Sequence, residues 1–89
     1  MIERELTVSN RLGLHARATA KLVQLLSGYR CNVTLIAKGR EVNAKSIMGV
    51  MLLAAGQGTV VRLRADGDDE EAVTEVVTGL FERRFDEDQ

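Results

Sequence analysis

Hydrophobic and polar positions alternate over residues 2–8, with Ile2, Leu6 and Val8 on one side and Glu3, Glu5 and Thr7 on the other. A period of two predicts a strand with one buried face. The period then changes. Within residues 16–27, Leu22, Val23, Leu25 and Leu26 form a stripe at helical spacing, and Gly28 is placed to end that helix as a left-handed cap. Residues 31–37 and 40–43 predict two short strands around Lys38 and Gly39, a hairpin turn with Gly39 at the demanding position. Ser46 is placed to cap a helix that runs to about Ala55 and stops near Gly56 and Gly58. Residues 59–65 alternate again as a strand, and residues 66–69 make a turn. Ala72, Val73, Val76, Val77, Leu80 and Phe81 stripe a last helix reaching about Arg84.

The resulting order is strand, helix, strand, strand, helix, strand, helix, which predicts an α+β fold with helices on one face of an antiparallel sheet. Order alone does not fix strand neighbours, and a ferredoxin-like sandwich would give much the same string. The 89 residues make one domain, residues 1–89, too short for a separate substrate domain or a nucleotide-binding fold. Any reaction must therefore be completed with a partner.

Charge changes the picture more than composition does. The net charge of −1 averages two opposed segments: residues 1–64 carry ten Lys and Arg against three acids, giving +7, and residues 65–89 carry ten acids against two Arg, giving −8. A basic body around Arg17 and Lys21 suits steering toward acidic partner proteins. Asp68, Asp69, Glu70 and Glu71 favour a helix N-terminus, and Asp86, Glu87 and Asp88 are expected to solvate a tail. With three aromatic residues and an acidic last helix, nucleic-acid binding is not expected.

One His and one Cys offer no metal-ligand set, and the glycines match no Walker-type phosphate loop, so neither metal nor cofactor is expected. The single Cys31 fits a reducing compartment and a buried strand position. Glu3, Arg4 and Glu5 interrupt any leader-like apolar run, and nothing approaches the ~20 apolar residues of a membrane span. A cytoplasmic monomer is the expectation.

Chemistry concentrates at Gly13-Leu14-His15-Ala16-Arg17, where the only histidine stands at the entrance of the first predicted helix. An imidazole with an ordinary pKa of ~6.5 keeps a large neutral fraction near pH 7, available as nucleophile or base. The backbone N–H groups of Ala16 and Arg17 would have no partner inside the helix, and the helix dipole adds positive potential where a phosphoryl group on His15 would sit. Arg17 adds a planar donor fork. A solvated surface histidine would satisfy the same pattern. Gly13 supplies positive φ to a turn and, without a side chain, leaves approach to His15 open.

That pentapeptide, together with Asn43-Ala44-Lys45-Ser46-Ile47-Met48-Gly49-Val50-Met51, resembles the histidine-containing phosphocarrier (HPr) family of the bacterial phosphoenolpyruvate-dependent phosphotransferase system. The likeness runs over nearly the whole chain. It implies an open-faced β-sandwich, βαββαβα, with a four-stranded antiparallel sheet in the order 1-4-2-3 under three helices. It also implies a relay in which enzyme I passes a phosphoryl group to Nδ1 of His15 and an enzyme IIA-type partner receives it, with Arg17 as the second catalytic residue. The family usually has proline after this arginine; here Ala18 follows it, a strong helix former without the fixed φ.

The second motif has a physical reading of its own. Ile47, Met48, Val50, Met51, Leu52, Leu53, Ala54 and Ala55 cannot all face a core on one side, so a helix this short must leave apolar surface in water, unless it is sunk deeper than usual. The resemblance makes Ile47, Met48 and Met51 a partner-docking patch. Ser46 is explained as an N-cap worth ~1 kcal/mol. The family version of its motif is also phosphorylated by a dedicated HPr kinase/phosphorylase, which would place negative charge at the docking surface. Two alternatives stand beside this reading: a carrier of the nitrogen-related regulatory branch, which the acidic end Phe85-Asp86-Glu87-Asp88 resembles, and an interaction module read through phosphorylated Ser46.

Overall fold

The computed structural model describes residues 1–87. Seven elements follow in the expected order: β1 (Ile2–Thr7), α1 (Ala16–Leu26), β2 (Asn32–Ala37), β3 (Arg40–Asn43), α2 (Ile47–Leu52), β4 (Val60–Asp66) and α3 (Glu70–Glu82). The four strands form one antiparallel sheet in the order β1-β4-β2-β3. Register explains which face is wet. Glu3 pairs with Arg64, Arg64 with Thr34 and Thr34 with Asn43, and this row turns away from the helices. Arg64 there meets Glu3 at 3.0 Å and Glu41 at 3.3 Å. The alternate residues Leu6, Val61, Leu63, Ala65, Val33 and Leu35 point inward and are buried with Leu22, Leu26, Val50, Leu53, Val73, Val77 and Phe81. At ~1.5–3 kcal/mol per large apolar side chain, this one cluster supplies the main drive for folding.

The hairpin turns as its sequence requires, except that Lys38 shares the burden: its φ of 54° and the 77° of Gly39 are both positive, the pattern of a type I′ turn. Helix ends depart further. Gly28 does not enter the left-handed region, because α1 closes without it: the N–H of Ser27 donates to Val23 and Gln24 carbonyls at 3.0 and 3.3 Å, and its hydroxyl donates to the Gln24 carbonyl at 2.7 Å. Helix α2 stops at Leu52 rather than near Ala55. The N–H groups of Leu53 and Ala54 reach back only three residues, and Ala54, not Gly56, takes positive φ. Lys38 and Arg40 then donate to the carbonyls of Ala54 and Leu52 at 2.8 and 2.9 Å, bringing cations to the negative end of that helix. In α3, Ala72 is exposed and Thr74 takes the buried place, its hydroxyl satisfied by the Glu70 carbonyl at 2.8 Å.

The acidic turn before α3 is more specific than a solvated N-terminus. Glu70 does serve there, accepting from the N–H of Gly67 at 3.1 Å. Asp69 turns the other way and accepts from the backbone N–H groups of Arg30 and Cys31 at 2.8 and 3.0 Å, tying α3 to the start of β2. The Arg30 N–H bond is the chief cause holding this carboxyl below the usual aspartate range, assisted by Cys31 and opposed by burial. Burial in turn, with Asp69 beside it, pushes the Cys31 thiol up, so it stays a protonated core group.

A carboxyl whose folded pKa is depressed contributes stability that is complete above its unfolded value and is lost as pH falls through the folded one. Asp69→Asn is therefore expected to unfold at lower urea than the wild type at pH 7. The gap should close as pH falls below about 4, the ordinary aspartate value. Urea titrations at both pH values would read this, and a gap independent of pH would contradict it.

Candidate functional site

The loop before α1 is fixed from three sides. Gly13 has φ 69°, and a Cβ there would lie 2.5 Å from the Ala55 carbonyl oxygen, so its bareness serves close approach to the segment after α2 rather than access to His15. The neighbouring Leu14 donates its N–H to that same carbonyl at 2.9 Å and buries its side chain in the core. Thr19, also buried, donates its hydroxyl to the Leu14 carbonyl at 3.1 Å. Asn10 closes the loop: its side-chain amide donates to the Gly13 carbonyl at 2.8 Å, while its backbone carbonyl accepts from the Gly13 N–H at 3.2 Å.

His15 is the N-cap of α1, with extended backbone and its side chain accepting from the helix. Nδ1 lies 3.3 Å from the backbone N of Arg17. Serine, threonine, aspartate or asparagine fills this place best, and a long contact to an imidazole is a poor substitute for stability alone. Chemistry is the better reason for a histidine here. Nε2 lies on the opposite edge of the ring, 2.6 Å from Oε2 of Glu87. The ring is 27 % exposed, so it is reachable without being loose.

Arg17 is exposed, and among the described residues no carboxylate holds its guanidinium. Ala16, exposed at the first helical position, leaves its N–H directed out of the helix end. An open cleft of about 630 Å³ is lined by Leu12, His15, Ala16, Arg17, Lys21 and Glu87. Ser46 caps α2, its hydroxyl accepting from the Gly49 N–H at 3.0 Å. Beyond it the apolar helix divides as its composition requires: Val50 is fully buried, while Ile47, Met48 and Met51 are 47, 76 and 44 % exposed. Leu52 and Leu12 belong to the same class of exposed apolar residues, at 60 and 66 %. Leu52 was visible as part of an overcrowded helix; nothing in the sequence sets Leu12 apart from its loop.

The chain end is where the sequence reading needs correction. Instead of solvating a tail, Glu87 folds back onto the site, its Oε1 accepting from the Asn10 amide at 3.1 Å. A turn at Arg84–Asp86 brings it there, with Phe85 fully buried and its ring 4.9 Å from that of Phe81. The only cue in the sequence is an aromatic residue inside a charged stretch, which does not say where its neighbours go. Asp88 lies outside the described residues.

A family profile described as the phosphotransferase-system HPr component phosphorylation site matches residues 2–83. The chain is 67 % identical to the phosphocarrier protein HPr of Xylella fastidiosa over 99 % of both chains. It is 35 % identical to the phosphocarrier protein NPr of Shewanella violacea, covering 97 % of this chain and 94 % of that one. A crystal structure of HPr from Thermoanaerobacter tengcongensis superposes with a TM-score of 0.96 at 42 % identity, covering both chains fully. A profile spanning almost the whole chain, carried on the same sheet order and the same helix entrance, leaves one assignment: this chain belongs to the HPr family of phosphocarrier proteins of the phosphotransferase system.

Proposed function

We propose that this phosphocarrier holds its phosphoryl group on Nδ1 of His15, taking it from enzyme I and passing it to an enzyme IIA-type partner in the cytoplasm. The observation that carries this reading is the position of Nδ1 at the N-terminus of α1, 3.3 Å from the Arg17 N–H. A phosphoryl oxygen is a far stronger acceptor than a ring nitrogen, and the helix end offers it fixed N–H groups and the positive end of a dipole. Catalysis is then positioning and charge stabilisation, supplied by the N–H groups of Ala16 and Arg17 and by the exposed Arg17 guanidinium. Among the described residues no helix is long and apolar enough to cross a membrane.

Docking falls to Ile47, Met48 and Met51, an exposed apolar patch next to the segment on which the active loop rests. Methionine suits a surface that must meet more than one partner in turn. Lys21, Lys38 and Arg40 give the surroundings a positive rim for acidic partners. Ser46 is the regulatory phosphorylation site: its ester would add charge at the edge of this patch, the work of an HPr kinase/phosphorylase. The carrier acts as a monomer. The nitrogen-related branch is the second reading, favoured by the relative named NPr, although the relative named HPr is far more similar.

His15→Ala is expected to abolish acid-labile phosphate incorporation from enzyme I and phosphoenolpyruvate while leaving the fold intact, because the cap contact it removes is long and weak. Phosphate retained by that variant would remove the assignment. Arg17→Ala should slow transfer at least about tenfold, equivalent to ~1.4 kcal/mol. By contrast Ala18→Pro, which deletes an N–H without an acceptor inside the helix, should leave the rate within about twofold. Stopped-flow transfer kinetics separate the two, and a larger effect from the proline would shift the main role from charge to stiffness. Met48→Asp should weaken enzyme I binding in calorimetry while leaving thermal stability unchanged; equal affinity would argue against the patch.

A further inference from the structure

We propose that Glu87 is a positioning residue of the relay: its carboxylate keeps the ring proton of His15 on Nε2, so that Nδ1 alone presents the lone pair that takes the phosphoryl group. This inference rests on the reading of His15 as the carrier residue. Its basis is that two partners from distant parts of the chain impose the same tautomer. An ionised carboxylate only accepts, so Oε2 at 2.6 Å requires a proton on Nε2. A backbone N–H only donates, so the Arg17 N at 3.3 Å requires a lone pair on Nδ1. The proton position follows from those partners.

Glu87 is itself held in place. Oε1 accepts from the buried Asn10 amide, whose other bond is to the Gly13 carbonyl, so one amide group ties the tail to the active loop. The Lys21 ammonium donates to the Phe85 carbonyl at 2.7 Å and lies 4.0 Å from Asp86. Arg84, Phe85 and Asp86 all adopt positive φ without a glycine among them, a conformation costing ~1–2 kcal/mol per residue. Such a run persists only where its surroundings over-determine it. Here the buried Phe85 ring, the Lys21 bond and the Glu87 contacts do so. Among the described residues, the groups facing the pair are Asn10 from the loop, Arg17 and Lys21 from α1, and Asp86 from the turn. Burial favours the neutral Glu87 carboxyl, but hydrogen bonds from Asn10 and His15, with the Lys21 charge, outweigh it and hold the group below the usual glutamate range.

In the transfer, the Nδ1 lone pair forms a bond to phosphorus while the bond from phosphorus to the donor atom breaks, its electron pair leaving with that atom. The ring then carries a positive charge, with the proton still on Nε2 and the Glu87 carboxylate against it. The long Arg17 N–H contact passes from Nδ1 to a phosphoryl oxygen. Onward transfer reverses these events, returning the pair to Nδ1. No proton has to move in either direction.

Glu87→Gln tests the assignment with an isosteric side chain that keeps the tail packed. A glutamine has one acceptor oxygen for two donors, the Asn10 amide and the Nε2 proton, so its own NH₂ is driven toward whichever it leaves unsatisfied. Nitrogen-15 NMR of the neutral His15 ring should show the Nε2–H form almost alone in the wild type and substantial Nδ1–H form in the variant. Transfer from phosphorylated enzyme I should slow at least about tenfold, the loss expected when an orienting hydrogen bond to a working histidine is removed. A variant that keeps the Nε2–H form alone, whether transfer is fast or slow, would overturn the proposal, as would an altered ring spectrum with transfer unchanged. Phosphate accepted by His15→Ala would instead remove the underlying carrier reading.

Discussion

The exposed N-terminus of α1 is the constraint around which this molecule is built. Its first N–H groups have no acceptors within the helix, and an unsatisfied helix end is tolerable only where a side chain, water or ligand meets it. A serine or aspartate would settle that demand and leave nothing to bind. His15 settles it weakly, through a 3.3 Å contact, and so leaves the donors available to a stronger acceptor.

Such an arrangement needs a rigid frame, because the loop that carries the cap has little apolar material of its own. Leu14 is its buried apolar anchor, and the remaining constraint comes from polar contacts, among them those of the buried Asn10. Ala55 receives the Leu14 N–H, Gly13 presses against the same backbone, and Asn10 joins the loop to the chain end. The segment after α2 therefore supports the active loop directly. Val50 and Leu53 fix the short α2 to the core, and its opposite face leaves Ile47, Met48 and Met51 exposed. Lys38 and Arg40 at its C-terminal carbonyls stabilise a helix too short to be secure alone.

The segregated charge also acquires a structural sense. The acidic last quarter of the chain contributes Asp69 to the start of β2, Glu70 to the Met1 ammonium and Glu87 to the histidine, each carboxylate facing donors from the basic part. What reads as a polarity along the chain becomes a set of cross-fold contacts, while Arg17 remains exposed at the cleft.

Periodicity in the sequence determined β1, α1, β4 and α3, because a strand or helix with one buried face must repeat its apolar residues at its own pitch, while Gly39 marked the hairpin of β2 and β3 and Ser46 the start of α2. The two motifs determined the family, and with it His15, Arg17 and Ser46 as candidates. Helix ends were less legible. The stop after Leu52 depends on Lys38 and Arg40 arriving from a hairpin, and glycine alone could not announce it. Strand neighbours were not legible from order at all, since pairing β1 with β4 is decided by which faces can be buried together. Least legible was Glu87: a charged residue near a chain end looks solvated until a buried phenylalanine two positions earlier turns the chain back. Only tertiary structure could decide that, because the contact joins residues 72 positions apart and depends on packing that no local pattern encodes.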